Sequence, residues 1–284
     1  MEIVLHDPAD VAGFAGLVRP LLASDPLSHT VTLTVLDGLV RQGEPAEVLL
    51  SLHEGHELVG AALRTPGRPL QASAVPVDHA AAVDAALATA DPALPGVTGP
   101  TGPAEAFAAA HTSRTGAERH VDRALRLFTL GVLAPPTDVP GAARRAGPAD
   151  AELLADWRVA FGVEEGMPWV EPRTPAEVVT AGIDSGAGEV LWEVDGTAVC
   201  QAAARPVVAG MSRIGPVYTP PEHRRHGYAA AATAAAARWA LDEGAHTVLL
   251  FTDRNNATTN AIYPRIGFVP VHDAVELSFS ENRH

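Results

Sequence analysis

Arg224-Arg225-His226-Gly227-Tyr228-Ala229 runs into an Ala-rich stretch that continues to Leu241. Two arginines, two histidines (His223 and His226) and a glycine therefore meet at an expected helix start. The first turn of a helix has unpaired backbone N–H groups and the positive end of the dipole, which suits it to an anion such as a phosphate. Gly227 permits a tight turn and a close backbone approach. The N–H groups from Arg225 through His226, Gly227, Tyr228 and Ala229 to Ala230 would face the anion together. Arg224 and Arg225 would add charge-assisted contacts.

Reading outward, the second half alternates strands and helices. Leu153, Leu154, Trp157 and Phe161 recur at helical spacing, predicting a helix over 151–161 with Asp150 or a neighbour as cap. Glu189–Val194 and Thr197–Ala204 flank Asp195-Gly196, the signature of a hairpin with a type I′ turn. Ser212–Thr219 reads as a strand ended by Pro220-Pro221, and the helix after Gly227 should stop near Glu243-Gly244. An apolar strand over 246–252 follows, then a short helix near 258–265, and separate strands over 267–269 and 275–279.

The composition bounds the function. At 284 residues with 47% hydrophobic side chains, the chain can bury one or two cores. The N-terminal residues lack a basic leader and read as a strand, and the Ala-rich stretch is too short for a membrane span and interrupted by Arg238. One cysteine, Cys200, excludes an intramolecular disulfide and fits a reducing cytoplasm. A net charge of −14 argues against nucleic acid as a partner; it reads as a soluble acidic surface and leaves room for a cationic amine. All the basic residues are arginine, so no Gly-Lys-Ser/Thr phosphate loop exists.

A Pro/Gly/Ala-rich segment at 134–143 reads as a linker between two halves. At an offset of 140, Leu58–Pro66 lies over Ala198–Pro206 and Pro76-Val77 over Pro216-Val217. The first half also has a similar hairpin, 47–52 and 58–63 around Glu54-Gly55. After Val77, however, come Asp78-His79-Ala80, with neither glycine nor arginine, so a phosphate turn is absent from the first copy.

Arg224, Gly227 and Ala229 fit the Arg/Gln-x-x-Gly-x-Gly/Ala signature, and over about 143–280 the sequence resembles the GNAT superfamily of N-acetyltransferases. The resemblance implies an α/β fold, two tandem GNAT-like domains with mostly antiparallel mixed sheets flanked by helices. It places a degenerate domain at 1–134, a linker at 135–143 and an acetyl-CoA-binding catalytic domain at 144–284. Acetyl-CoA is then the cosubstrate, without a metal, and a small-molecule or peptide amine is the acceptor. The pyrophosphate would meet the Arg224–Ala230 turn, and the pantetheine arm would pair with Val217, Tyr218 and Thr219. An N–H near Val217 would polarise the thioester carbonyl. Asn256 resembles the family's CoA-contacting asparagine and Tyr263 its general acid.

Many members use a glutamate near the fourth strand as base, but Ser212-Arg213-Ile214 offers no carboxylate. Glu164, Glu165 and Glu193 are the candidates. His53-Glu54-Gly55-His56 lacks the spacing of a zinc site, and Cys200 reads as a core residue rather than a nucleophile. The rival reading is a catalytically idle acyl-CoA-binding sensor. Acceptor identity, acyl length and homodimerisation stay open.

Overall fold

The computed structural model describes residues 1–166, 173–184 and 186–280. The chain forms two compact units, Met1–Arg126 with His272–His284, and Leu127–Val271. The divide thus differs from the expected linker at 135–143: residues 127–134 fall in the second unit and His272–His284 in the first.

Both halves run through the same order of elements. The first has β1 (Glu2–Leu5), α1 (Val11–Ser24), α2 (Thr30–Gln42), β2 (Val48–Glu54), β3 (Glu57–Arg64), β4 (Leu70–Ala74), α3 (Ala80–Ala90), β5 (Gly96–Pro100), α4 (Thr101–Thr115) and β6 (Glu118–Leu130). The second repeats it with β7 (Ala142–Arg145), α5 (Ala151–Glu164), α6 (Pro175–Asp184), β8 (Gly188–Val194), β9 (Thr197–Ala204), β10 (Met211–Tyr218), α7 (Tyr228–Asp242), β11 (Thr247–Asp253), α8 (Ala257–Arg265) and β12 (Phe268–Ser280). The offset of 140 holds from β1 over β7 to β3 over β9 and then fails. Val77 lies in a 3-10 turn after β4, so it is not the strand counterpart of Val217.

In the first unit, β1 to β5 lie in sequence order; β4 and β5 are parallel and the other pairs antiparallel. The C-terminal part of β12 then pairs antiparallel with β5, from Ala274↔Pro100 to Ser278↔Gly96. Its other side meets the start of β6, where Ser278 donates to Asp122 at 2.8 Å and Arg126 to Asp273 at 2.7 Å. The expected separate strands at 267–269 and 275–279 are one strand, Phe268–Ser280, which continues through exposed and half-buried residues at 269–273. Asp10 caps α1 by accepting from the Gly13 N–H at 2.9 Å, and Phe14, Val18 and Leu22 bury one helical stripe. On the other face of the sheet, Val83, Leu87 and Phe107 bring α3 and α4 into one core with Leu50, Leu70, Val97 and Leu277.

In the second unit the order is β7-β8-β9-β10-β11, followed by β6, whose Leu127–Leu130 end belongs here. The β8–β9 turn is as expected: Asp195 and Gly196 take φ of 50° and 78°, the left-handed pair of a type I′ hairpin. The alanines of α7 give it high helix propensity and little bulk. Ala232, Ala236 and Ala240 bury one stripe against the sheet. Gly188 lets Trp239 lie directly on the strand, since a Cβ there would collide with the indole ring. Asp150 does not cap α5 with its side chain; that carboxylate instead binds Arg144 and the Gly147 N–H.

Gly96 tests whether the C-terminal strand belongs to the first unit. A Cβ there would collide with the Leu277 carbonyl oxygen, a backbone atom of the β5–β12 ladder. Gly96→Ala should destabilise the protein by about 1–3 kcal/mol and speed amide exchange at 274–278. An unchanged unfolding midpoint with unchanged protection would contradict the pairing.

Candidate active site

The site grows from a divergence of two strands in the second unit. Parallel pairing of β10 with β11 runs from Met211↔Thr247 to Ile214↔Leu250 and ends there. On its other side β10 stays with β9 to Tyr218↔Gln201, past an irregularity between Ile214 and Val217. Residues 215–218 thus keep one neighbouring strand and leave the β11 side of their backbone open. A strand edge with free N–H and C=O groups can accept an extended chain. Val217, Tyr218 and Thr219, the expected pantetheine contacts, lie on or just beyond this edge.

The first unit closes the corresponding region. Beyond Gln71↔Thr98, a Cβ on Gly99 would stand 3.2 Å from the Ser73 backbone nitrogen, so the two strands stay in contact. The Ser73 hydroxyl is engaged by His29 Nδ1 at 3.0 Å and Thr32 Oγ1 at 2.9 Å. The connection from β4 to α3 spans only 75–79, against 219–227 in the second unit.

That longer connection holds the signature turn. Arg225 and Gly227 take φ of 66° and 85°, and α7 begins at Tyr228. Left-handed residues just before a helix turn successive N–H groups into one concavity, with the helix dipole behind it. Arg224, Arg225, His226 and Gly227 are exposed. Tyr228 contributes its backbone at the helix start while its ring packs in the core, and Ala229 and Ala230 continue the first turn. The space a Gly227 Cβ would take holds Val139, whose Cγ2 would be 2.9 Å away. The segment expected as a free linker therefore packs on the turn, and the Trp192 indole fixes it by donating to the Pro140 carbonyl at 2.9 Å.

Arg224 points away from the concavity. Its Nη2 binds both Glu164 oxygens, at 2.7 and 2.6 Å, and its Nε donates to the Thr219 carbonyl at 2.9 Å. The Tyr218 hydroxyl donates to the same carboxylate at 3.3 Å, and the Tyr218 ring lies 6.1 Å from that of Trp157 on α5. Burial first, then the Glu164 charge, keep the Tyr218 phenol protonated above its ordinary range. Arg224 thereby fastens the end of α5 to the exit of β10, a link the sequence did not reveal.

Tyr263 comes from α8. Its ring packs with Phe128 and Phe268 at centroid distances of 6.4 and 6.1 Å, and 7% of the residue is exposed. Burial first, then proximity to the acids of Cys200 and Glu165, hold its phenol above the ordinary range. Cys200 and Glu165 thus both lie within electrostatic reach of Tyr263. Thr219 Oγ1 donates to the buried Cys200 sulfur at 3.2 Å, and burial pushes that thiol up to about 12.

Of the remaining candidates, Asn256 caps α8, its Oδ1 accepting from the Thr259 N–H at 3.2 Å. Asn260 ties β11 to α8, accepting from Thr252 at 2.7 Å and donating to the Asp253 carbonyl at 3.0 Å. Glu193 is bound by Arg144 at 2.7 Å. Among the described residues no cluster of His, Cys, Asp and Glu could hold a metal, and no helix is long and apolar enough to cross a membrane.

Residues 152–268 match the model of the acetyltransferase (GNAT) family, so the second unit carries a GNAT acetyltransferase domain. No curated protein matches the sequence. Among solved structures, a GCN5-related N-acetyltransferase from Kribbella flavida is similar at a TM-score of 0.59 with 21% identity, over 90% of this chain and 96% of that one. A GNAT-family acetyltransferase from Colwellia psychrerythraea gives 0.63 with 13% identity over 99% and 100%. A tandem GNAT protein from the clavulanic acid biosynthesis pathway gives 0.58 with 18% identity over 99% and 98%. At these identities the likeness speaks for the fold, which is that of a tandem GNAT protein.

The buried thiol gives a direct test of the site's interior. An acid whose folded pKa is raised contributes stability that is fully present below its unfolded pKa, about 8.5, and lost as pH rises toward the folded value. Native protein at pH 8 should therefore leave Ellman's reagent unreacted for many minutes, whereas guanidinium-unfolded protein should release the equivalent of its single cysteine. Prompt reaction of the native protein would show that Cys200 is not sealed in.

Proposed function

We propose that this GNAT domain binds acetyl-CoA and transfers the acetyl group to an amine by direct attack on the thioester. One observation carries the reading. The left-handed turn at Arg225 and Gly227 and the open β10 edge occur together in the second unit, and the first unit has neither a turn of that length nor an open edge.

The residues present fit the cosubstrate, which supplies an activated acetyl thioester. Backbone N–H groups from Arg225 to Ala230 suit a pyrophosphate, and Arg225 and His226 stand exposed beside them. Arg224, held by Glu164 and Thr219, acts by fixing α5 rather than by reaching a phosphate. The backbone of Val217 to Thr219 offers strand-like pairing for an extended arm, and an N–H near Val217 stabilises negative charge on the carbonyl oxygen. Pro216 has no N–H and contributes none.

The amine must lose a proton. Glu165, within electrostatic reach of Tyr263, is the proposed acceptor of that proton, directly or through water. Glu164 is less available because Arg224 and Tyr218 hold it. At the other end of the reaction Tyr263 donates to the departing sulfur. Its raised pKa keeps the proton in place until then. Desolvation that pushes the Cys200 thiol to about 12 would make a thiolate beside it correspondingly basic, which favours that transfer.

Removing the phenol while keeping the ring isolates the step. Tyr263→Phe should bind acetyl-CoA as the wild type does and lower kcat on the order of 100-fold, read as thiol release with an amine panel. An idle acyl-CoA-binding protein would release no thiol with any amine in the wild type. A full rate in Tyr263→Phe across the pH range would remove Tyr263 as the acid.

A further inference from the structure

Gln201 lies on β9 in register with Tyr218 on β10 and Leu191 on β8. Leu191 packs with Leu154 of α5 and Val179 of α6, so this row occupies the sheet face under those helices. Cys200 and Ala202, on either side of Gln201 in sequence, face the α7 core instead. Gln201 is completely buried, yet neither Oε1 nor Nε2 has a hydrogen-bond partner. Its diagonal neighbour across the strands is Glu189, about 7 Å away by Cβ atoms. Arg158 of α5 binds Oε1 of Glu189, while Glu189 Oε2 and Arg158 Nε are buried without partners.

Four unpaired polar atoms on one patch of an otherwise apolar layer call for an explanation. An unpaired buried amide weakens folding by roughly tenfold, and an apolar side chain of the same shape would avoid that penalty. Such groups persist where a ligand uses them. The position fits an acceptor, because Gln201 stands directly across from Tyr218, next to the Val217 N–H assigned to the thioester carbonyl.

The charges narrow the ligand group. Arg158 and Glu189 neutralise each other and Gln201 is uncharged, so neither a phosphate nor a second ammonium finds a free counter-charge. What remains is a surface that both donates and accepts hydrogen bonds, complementary to an amide. We infer that Gln201 forms the specificity-determining subsite for a carboxamide or peptide amide carried by the amine acceptor, an inference that rests on the acetyl-transfer reading.

Gln201→Met keeps the length and removes the hydrogen-bonding groups. Its unfolding midpoint should rise by about 3 °C or more. Wild type should favour β-alaninamide over n-butylamine by at least tenfold in kcat/KM, from thiol release with acetyl-CoA. The variant should lose that preference, its kcat/KM for β-alaninamide falling at least tenfold relative to that for n-butylamine. A lowered midpoint would mean that the amide is satisfied structurally, and would overturn the proposal. So would a wild type without amide preference, or a variant that retains it. If wild type binds acetyl-CoA but releases thiol with neither amine, acetyl transfer itself fails. The direction of the midpoint would still decide for or against an unpaired amide at Gln201.

Discussion

The loss of β10's second neighbour after Ile214 is the constraint on which the rest of the second unit depends. Up to that residue the strand is held from both sides, and its backbone groups are committed. Beyond it β9 alone holds the strand, and the edge at Val217 to Thr219 is left to pair with something else. An open edge inside a domain is costly unless a ligand or a loop uses it. Here the surrounding elements are arranged around it. The left-handed Arg225–Gly227 turn lies just beyond one end, α5 is tied to its exit through Arg224 and Glu164, and α8 places Tyr263 within electrostatic reach of Cys200 and Glu165.

The two halves carry one architecture with a local difference. Their elements follow the same order, and the hairpins β2–β3 and β8–β9 stand at the same offset. The difference is local. In the first unit Gly99 draws β5 onto the backbone of Ser73, the Ser73 hydroxyl is occupied, and the connection to α3 is too short for a phosphate turn. The closed edge and the short connection occur together in the first unit, as the open edge and the longer turn do in the second.

Much of this was legible in the sequence, since local rules govern it. The Asp195-Gly196 hairpin, the helix from Tyr228 and the stop near Gly244 each follow from a few adjacent residues. Long-range partnerships were not legible. Nothing around Arg224 announces Glu164, sixty positions away, to which its guanidinium is bound. Gln201 looks like an ordinary strand residue, and only the register that sets it against Tyr218 and Leu191 shows its amide buried and unpaired. The offset of 140 misled after β3, because the loops that differ between the halves shift every later element. Val139 was hidden for another reason: composition marks a Pro/Gly-rich segment as a linker and says nothing of what it packs on.

The central claim is that one turn, in one unit, holds the acyl-CoA. Calorimetric titration of the full chain with acetyl-CoA tests it most directly, comparing wild type with Gly227→Ala, in which a Cβ meets both a left-handed backbone and Val139. Saturation at a single acetyl-CoA per chain, with affinity reduced about tenfold or more in the variant, is the expected result. Two equivalents per chain, or undiminished affinity in Gly227→Ala, would contradict it.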